Sequence, residues 1–205
     1  NKIVIKQKQK MNRFFNGFTF RKKNSICIAI PKKEIDKIVV DNKSGDVKIR
    51  DIVVKNIVTK GKSGDGMIVG LSAEKGEFIS QSGELVVKGS SVQELNIKST
   101  TGDNYITNVS NSNMNITSTS GEVLLKDMTE GKSLFIETKS GDIGVRYKGV
   151  PASLKLMAKS NSADVIVDLK GLKKDKNTEK IKVGTIGDAK NEAKILSETG
   201  VIYID

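Results

Sequence analysis

The sequence predicts an all-β repeat fold and favours a single-stranded, β-helix-like β-solenoid with coils of about 19 residues. Three observations predict it: a Ser-Gly-acidic tripeptide recurs at a nearly constant interval, aliphatic residues alternate on both sides of it, and polar stretches separate the copies. The 205 residues suit one large domain. Because only 4% of residues are aromatic, Ile, Val and Leu must fill most of the core.

The corner tripeptide defines the repeat. In six copies the glycines lie 19, 19, 19, 19 and 20 residues apart. Gly permits the positive φ that a tight corner needs, Ser or Thr can bond nearby backbone, and the acid keeps the corner in water. The corner residues are Ser44, Gly45, Asp46, Ser63, Gly64, Asp65, Ser82, Gly83, Glu84, Thr101, Gly102, Asp103, Ser120, Gly121, Glu122, Ser140, Gly141 and Asp142.

Two further copies are less regular. Ala163 stands at the glycine position 22 residues after Gly141. A positive φ would be strained for Ala163, so a turn of different shape is expected there. Gly200 follows 37 residues later, close to two periods, and residues 193–205 are predicted to close the stack.

The stretch before this last copy breaks the repeat. Residues 170–180 are highly charged and predict a protruding loop. Ile181 and Val183 alternate with polar residues and predict a new strand. Gly187 with the following Asp predicts another corner.

Aligned on the glycine, the copies predict two strands per coil. Positions minus seven, minus five, plus two and plus four are mostly apolar, which is the period-two pattern of half-buried strands. Such units could stack as coils in parallel or form hairpins in an antiparallel meander or barrel. Stacking is favoured because it lays like residues over like. Position plus four holds Ile49, Ile68, Val87, Ile106, Leu125, Val145, Val167 and Ile204.

The positive charge is concentrated at the N-terminus. Ten basic residues precede the first acid, Glu34, while residues 34–205 carry 25 basic and 24 acidic groups out of totals of 35 and 24. We therefore divide the chain into a basic, Phe-containing segment or cap, 1–33, and a solenoid domain of about eight coils, 34–205. The segment could contact an anionic surface. Its candidate contacts are Lys8, Lys10, Arg13, Phe14, Phe15, Arg21, Lys22 and Lys23.

Composition excludes several classes of site. The chain has no His and one Cys, which excludes Cys/His zinc sites, His-based triads and a disulfide framework. Cys27 lies in an alternating apolar run and is predicted to be a buried small hydrophobe. No apolar run reaches the ~18–20 residues that a membrane helix needs. The chain begins at Asn, so a signal or anchor is expected upstream.

The turns KSGDVKI, TSGEVLL and KSGDIGV resemble those of a bacterial family labelled as adhesins and catalogued as domain of unknown function 4097. The closing stretch IGDAKNEAKILSETGVIYI is similar to the last pattern of that family, and the resemblance covers residues 28–205. It implies a right-handed β-solenoid on the bacterial envelope, often beside a transmembrane segment and sometimes within envelope-stress systems. The family has no established catalytic residues, so none is assigned.

The corner acids are the main chemical feature of the predicted stack. One carboxylate every ~4.8 Å is a poor cage for a hard cation, so a solvated corner is favoured over a metal site. Glycoside hydrolysis needs two carboxyls in a cleft, one of them with a raised pKa. Every coil offers the same exposed acid, so we expect no enzyme activity and no cofactor.

The sequence therefore favours a non-enzymatic interaction module or adhesin exposed on the cell envelope. An envelope-stress sensor that binds a partner protein or an antimicrobial peptide is the alternative. Proteins and anionic envelope polymers are the expected partners. Residues 1–33 offer a possible membrane-surface contact, and the neutral body disfavours nucleic acid.

Overall fold

The computed structural model describes residues 27–30 and 35–205. The chain divides into the units Asn1–Ile30 and Pro31–Asp205, and the 17 strands found among the described residues lie in the second. The part of the chain that is described contains no helix. Consecutive repeats form about six regular turns of ~19 residues, which confirms the predicted β-solenoid.

The strands that precede the corners form a parallel ladder, the long-strand ladder. Each strand pairs with the equivalent strand of the neighbouring coil, so that paired residues are one repeat apart in the sequence. Ile57, for example, lies opposite Gly76. In spatial order the strands are β1 (Lys37–Asn42), β3 (Val53–Gly61), β5 (Ser72–Ser80), the second half of β6 (Leu85–Ser99), β8 (Asn113–Ser120), β10 (Ser133–Ser140), β16 (Asn191–Ser197) and β12 (Leu154–Ser160).

The strands that follow the corners form a second parallel ladder, the short-strand ladder. Its eight strands match the eight levels of the first ladder. In spatial order they are β2 (Val47–Arg50), β4 (Gly66–Val69), the first half of β6, β7 (Asn104–Ser110), β9 (Val123–Met128), β11 (Ile143–Tyr147), β17 (Ile202–Ile204) and β13 (Val165–Val167).

The core lies between the two ladders. All eight aliphatic residues at position plus four are buried, as the alternation predicts. Phe78 is the one buried aromatic ring among the described residues, and Gly76 on the same strand leaves room for it. Since no coil can bury its apolar face alone, each level depends on its neighbours for burial.

The last levels are not stacked in chain order. The C-terminal strand β16 pairs with β10 on one side and with β12 on the other, and β17 likewise lies between β11 and β13. The prediction that residues 193–205 close the stack is therefore wrong. These residues form the seventh level, and residues 154–167 form the eighth level beyond it. At residues 148–153 the chain passes over the position of the seventh level, and residues 191–205 later return to occupy that position.

A hairpin covers the outer edge of the eighth level. β15 (Ile181–Thr185) pairs antiparallel with β12, and β14 (Lys173–Asn177) pairs antiparallel with β15. The strand predicted at Ile181 is confirmed, but five of the eleven residues of the loop predicted at 170–180 form a strand, because β15 offers an open edge to residues 173–177. Gly187 lies in a turn with φ +57°, as predicted.

Glu130 bonds to the two segments whose order in the stack is the reverse of their order in the chain. Its carboxylate accepts hydrogen bonds from the backbone N–H of Ala152, at 2.6 Å, and Ser153, at 3.1 Å. It also accepts one from the Asn191 side chain, at 3.0 Å. One carboxylate in the loop after β9 therefore fixes the entry to both the seventh and the eighth levels.

Candidate functional site

The corner column is the predicted feature that the fold brings together most completely. Gly102 has φ +117°, and a Cβ added to it would lie 2.1 Å from the carbonyl oxygen of Gly83 on the preceding level. Only glycine permits this approach of consecutive corners. Ala163 has no positive φ, and its N–H bonds Ser160 Oγ at 3.1 Å, so its turn differs in shape as expected.

The corner hydroxyls link consecutive levels. Five of these hydroxyls donate to the carbonyl oxygen of the residue two before the glycine on the previous level, as Ser82 Oγ does to Lys62 at 3.0 Å and Thr101 Oγ1 to Gln81 at 3.0 Å. The same bond is made by Ser63, Ser120 and Thr199. The Ser or Thr of the tripeptide is therefore explained by bonding between coils.

The corner aspartates accept hydrogen bonds from the level above. Asp65 Oδ1 accepts the N–H of Glu84 at 2.9 Å, and Asp103 Oδ1 accepts that of Glu122 at 2.8 Å. Asp46 and Asp142 make the equivalent bond. The sequence predicted only solvated acids. These bonds supply a partner for a backbone group that the bend would otherwise leave unpaired.

The remaining chemistry of the corner column is limited. Among the described residues, no group of three or more acids or cysteines could hold a metal ion. In Asp46, Asp65 and Asp142 the second carboxylate oxygen accepts no hydrogen bond from the described residues and stays available to a solvent-side cation. Within residues 35–205, Lys43, Lys62 and Lys139 form no ion pair with these acids.

A row of buried hydroxyls lies behind the corners from the fourth corner onward, three residues before the glycine position. Ser99 Oγ donates to Ser118 Oγ at 2.9 Å, and Thr138 Oγ1 donates to Ser197 Oγ at 3.1 Å. Ser160 continues the row and donates to the Gly200 carbonyl oxygen. The row was missed in the sequence, although Ser or Thr recurs at this position from the third corner onward.

Asn104 interrupts the apolar core. It is fully buried at position plus two, where its neighbours in the ladder are Leu85 and Val123. Its Nδ2 donates to Ser99 Oγ at 2.8 Å, while its Oδ1 has no hydrogen-bond partner. The polar break is continuous with the hydroxyl row and belongs to the interior, away from the outer faces.

Tyr105 connects two corner acids on the outer surface. Its hydroxyl lies 3.2 Å from Asp103 Oδ2 and 3.2 Å from Glu122 Oε2. Desolvation, together with the two carboxylates, raises the pKa of Tyr105 to about 12. The phenol therefore stays protonated and cross-links adjacent levels across the physiological range.

The outer face of the long-strand ladder is mostly polar; we call it the polar face. Its central levels carry charged and amide residues in register, with Asn96 over Asn115 and Lys98 over Thr117. Lys60 and Lys98 stand in the same column, separated by Ile79. No residue of this face is buried, so the face is open within the described part of the fold.

The predicted basic contacts are not placed by the structure. Lys8, Lys10, Arg13, Phe14, Phe15, Arg21, Lys22 and Lys23 lie outside the described residues. Cys27 is exposed, so the prediction that it is buried is wrong: residues 27–30 form no strand that could cover it. No helix in the described ranges is long and apolar enough to span a bilayer.

Comparison with known proteins identifies the family. The family model described as Toastrack DUF4097 matches residues 1–205. The chain belongs to this family. The match extends beyond residues 28–205, where the Toastrack resemblance was recognised in the sequence. Searches of curated proteins and of solved structures gave no match. Residues 35–205 therefore form a Toastrack β-solenoid domain of unknown function.

Proposed function

We propose that this Toastrack domain is a non-enzymatic interaction module of the cell envelope, of adhesin type, that binds an envelope polymer through the polar face. The observation that carries the proposal is the uncovered sheet of regularly spaced Lys, Asn and Thr side chains. Polar groups on levels ~4.8 Å apart, such as Asn96 over Asn115 and Lys98 over Thr117, suit many weak contacts with a repeating polymer better than one deep pocket. The proposed location is extracytoplasmic.

Co-sedimentation of the full chain with purified bacterial cell walls carrying anionic polymer tests the proposal. The double change Lys60→Gln/Lys98→Gln is expected to weaken binding about 3- to 10-fold, because each exposed charge contact contributes about 0.2–1 kcal/mol. Lys174→Gln/Lys176→Gln on the hairpin removes the same charge and should leave binding unchanged. Equal losses of cell-wall binding in both variants would show that the binding is non-specific charge attraction and would contradict the proposal.

The contribution of the basic N-terminal segment is tested separately, by co-sedimentation with vesicles of anionic phospholipid. The triple change Arg21→Gln/Lys22→Gln/Lys23→Gln lowers the charge of the segment and replaces no residue of the polar face. If the segment binds anionic lipid, this variant loses binding to vesicles of anionic phospholipid while keeping its binding to walls. Unchanged vesicle binding would remove the segment from the proposal.

A stress-sensing role is the second candidate, favoured by the second carboxylate oxygen of Asp46, Asp65 and Asp142, which accepts no hydrogen bond within the described residues. A cationic antimicrobial peptide could lie along this column, with one carboxylate per level. Asp46→Asn/Asp65→Asn/Asp142→Asn keeps the Oδ1 acceptor and removes only the charge, so stability should be retained. Peptide affinity should then fall about tenfold.

Acids remote from the column provide the control for this experiment. Asp175→Asn/Glu179→Gln/Asp188→Asn changes the same net charge near the hairpin and its following turn. A cationic peptide that loses affinity equally for both triple variants responds to net charge alone, which would count against recognition by the column.

A further inference from the structure

A continuous apolar stripe follows the outer face of the short-strand ladder, which the proposed polymer contact does not use. One residue per level forms it, three positions after the corner glycine, and the register places each over the next. Gly144 occupies the level above Leu124, whose side chain lies over it. The apolar members are Met67, Val86, Tyr105, Leu124, Tyr203 and Ile166.

The stripe is accessible in this fold. Ile166 and Tyr203 keep 47% and 39% of their surface exposed, and the other members are half-buried. A contiguous apolar run bordered by charged residues is typical of a protein interaction site. The stripe therefore needs an occupant that matches its borders.

Opposite charges border the stripe on its two sides. On four levels the residue after the corner glycine is acidic and the residue four positions later is basic. Both belong to the outer face, because residues at even spacing along a strand point to the same side. The pairs are Asp46 and Arg50, Glu84 and Lys88, Glu122 and Lys126, and Asp142 and Arg146.

We propose that the occupant is a second copy of this chain, packed face to face about a two-fold axis parallel to the stripe. That axis keeps each level opposite its equivalent and exchanges left for right, so the acidic row of one copy meets the basic row of the other. The other in-plane two-fold axis would oppose acid to acid. Charge therefore selects one orientation of the dimer.

The ends of the solenoid confine this contact to the central levels. Lys48 occupies the stripe position on the first level and would face its own equivalent. On the eighth level Asp164 and Asp168 stand on both borders, so like charges would oppose there. On the sixth level Arg146 already pairs with Asp205 at 3.1 Å, which leaves Glu84 with Lys88 and Glu122 with Lys126 as the main pairs between copies.

The area of the face defines a weak, reversible dimer. The six central levels at ~4.8 Å and five residues at ~3.3 Å give a face of roughly 29 by 16 Å. Two such faces bury about 900 Å² in total, which is in the range of weak, transient interfaces. The dimer would leave the two polar faces outward on opposite sides, which doubles the sites open to a repeating polymer.

Sedimentation velocity of the full chain over a concentration series tests the dimer. The wild-type chain is expected to show a monomer–dimer equilibrium, and Glu122→Lys should weaken it about tenfold or more because it opposes Lys to Lys126 at two symmetric places. Lys126→Glu should do the same. The double exchange Glu122→Lys/Lys126→Glu restores opposite charges between copies and should restore dimerisation.

Matched variants on the other sheet separate the interface from general effects. Glu137→Lys makes the same charge change on the polar face and should leave dimerisation unchanged. Leu124→Ser should weaken the dimer, whereas Ile79→Ser, on the outer face of the long-strand ladder, should not. A wild-type chain that stays monomeric to its solubility limit, or a double exchange as weak as the single changes, would overturn the proposal.

The proposed dimer and the proposed function can be disproved independently of each other. A monomeric chain that still binds cell walls through Lys60 and Lys98 would remove the dimer alone. A dimer rescued by the double exchange that binds no wall polymer would remove the proposed function alone.

Discussion

Replacing Gly102 by alanine is expected to lower the free energy of unfolding by about 3 kcal/mol or more. Two effects add at this corner: the left-handed φ of +117° costs a side chain about 1–2 kcal/mol, and the new Cβ would lie 2.1 Å from the Gly83 carbonyl oxygen. Relief of that contact forces adjacent levels apart, with an overpacking cost of about 1–3 kcal/mol. Urea denaturation followed by circular dichroism measures the loss.

Two other corners separate the two effects. Gly45 has φ +95° but nothing within 4 Å of an added Cβ, so Gly45→Ala isolates the dihedral cost of about 1–2 kcal/mol. Gly200 lies outside the left-handed region, yet its added Cβ would be 1.9 Å from the Gly141 carbonyl oxygen, so Gly200→Ala isolates the close approach. Equal losses in Gly45→Ala and Gly102→Ala would show that contact between corners is unimportant.

The stack itself could be predicted from the sequence because each level repeats the same chemistry. The plus-four aliphatics and the corner glycines fix the strand register, and all of those aliphatics are buried. The bonding role of Asp65 and Asp103 could not be predicted, because it depends on where the next level presents its N–H. The apolar stripe left a readable signal that was missed: position plus three is apolar at Met67, Val86 and Leu124.

The order of the last levels could not be predicted from the sequence. The regular repeat that made the stack predictable is also the reason why the order of its levels was not. Equivalent strands carry interchangeable side chains, so the repeat shows which residues share a column but not which level lies next to which. The interval from Ala163 to Gly200 suggests two consecutive coils, but the hairpin β14–β15 uses much of that length. The exposed Cys27 was mispredicted because apolar alternation indicates burial only where a strand forms.

Removing the C-terminal level, residues 191–205, is expected to disrupt more of the fold than its own 15 residues. An interior level contributes two interfaces to a stacked repeat, whereas a terminal level contributes one. Without β16 and β17, strands β12 and β13 lose their parallel partners, and Glu130 loses its bond to Asn191. In hydrogen–deuterium exchange, residues 154–185 should lose protection, while β3 to β8 should keep theirs.

A deletion at the true end of the stack is the matched comparison. Replacing residues 172–185 by a short Gly-Ser linker removes the hairpin but leaves β12 paired with β16, so the amides of β10 and β16 should stay protected. A peptide of residues 188–205, added to the chain lacking 191–205, should enter the vacant level as parallel strands and restore protection at 154–167. Protection of 154–185 that survives the C-terminal deletion would contradict the interior position of the last level.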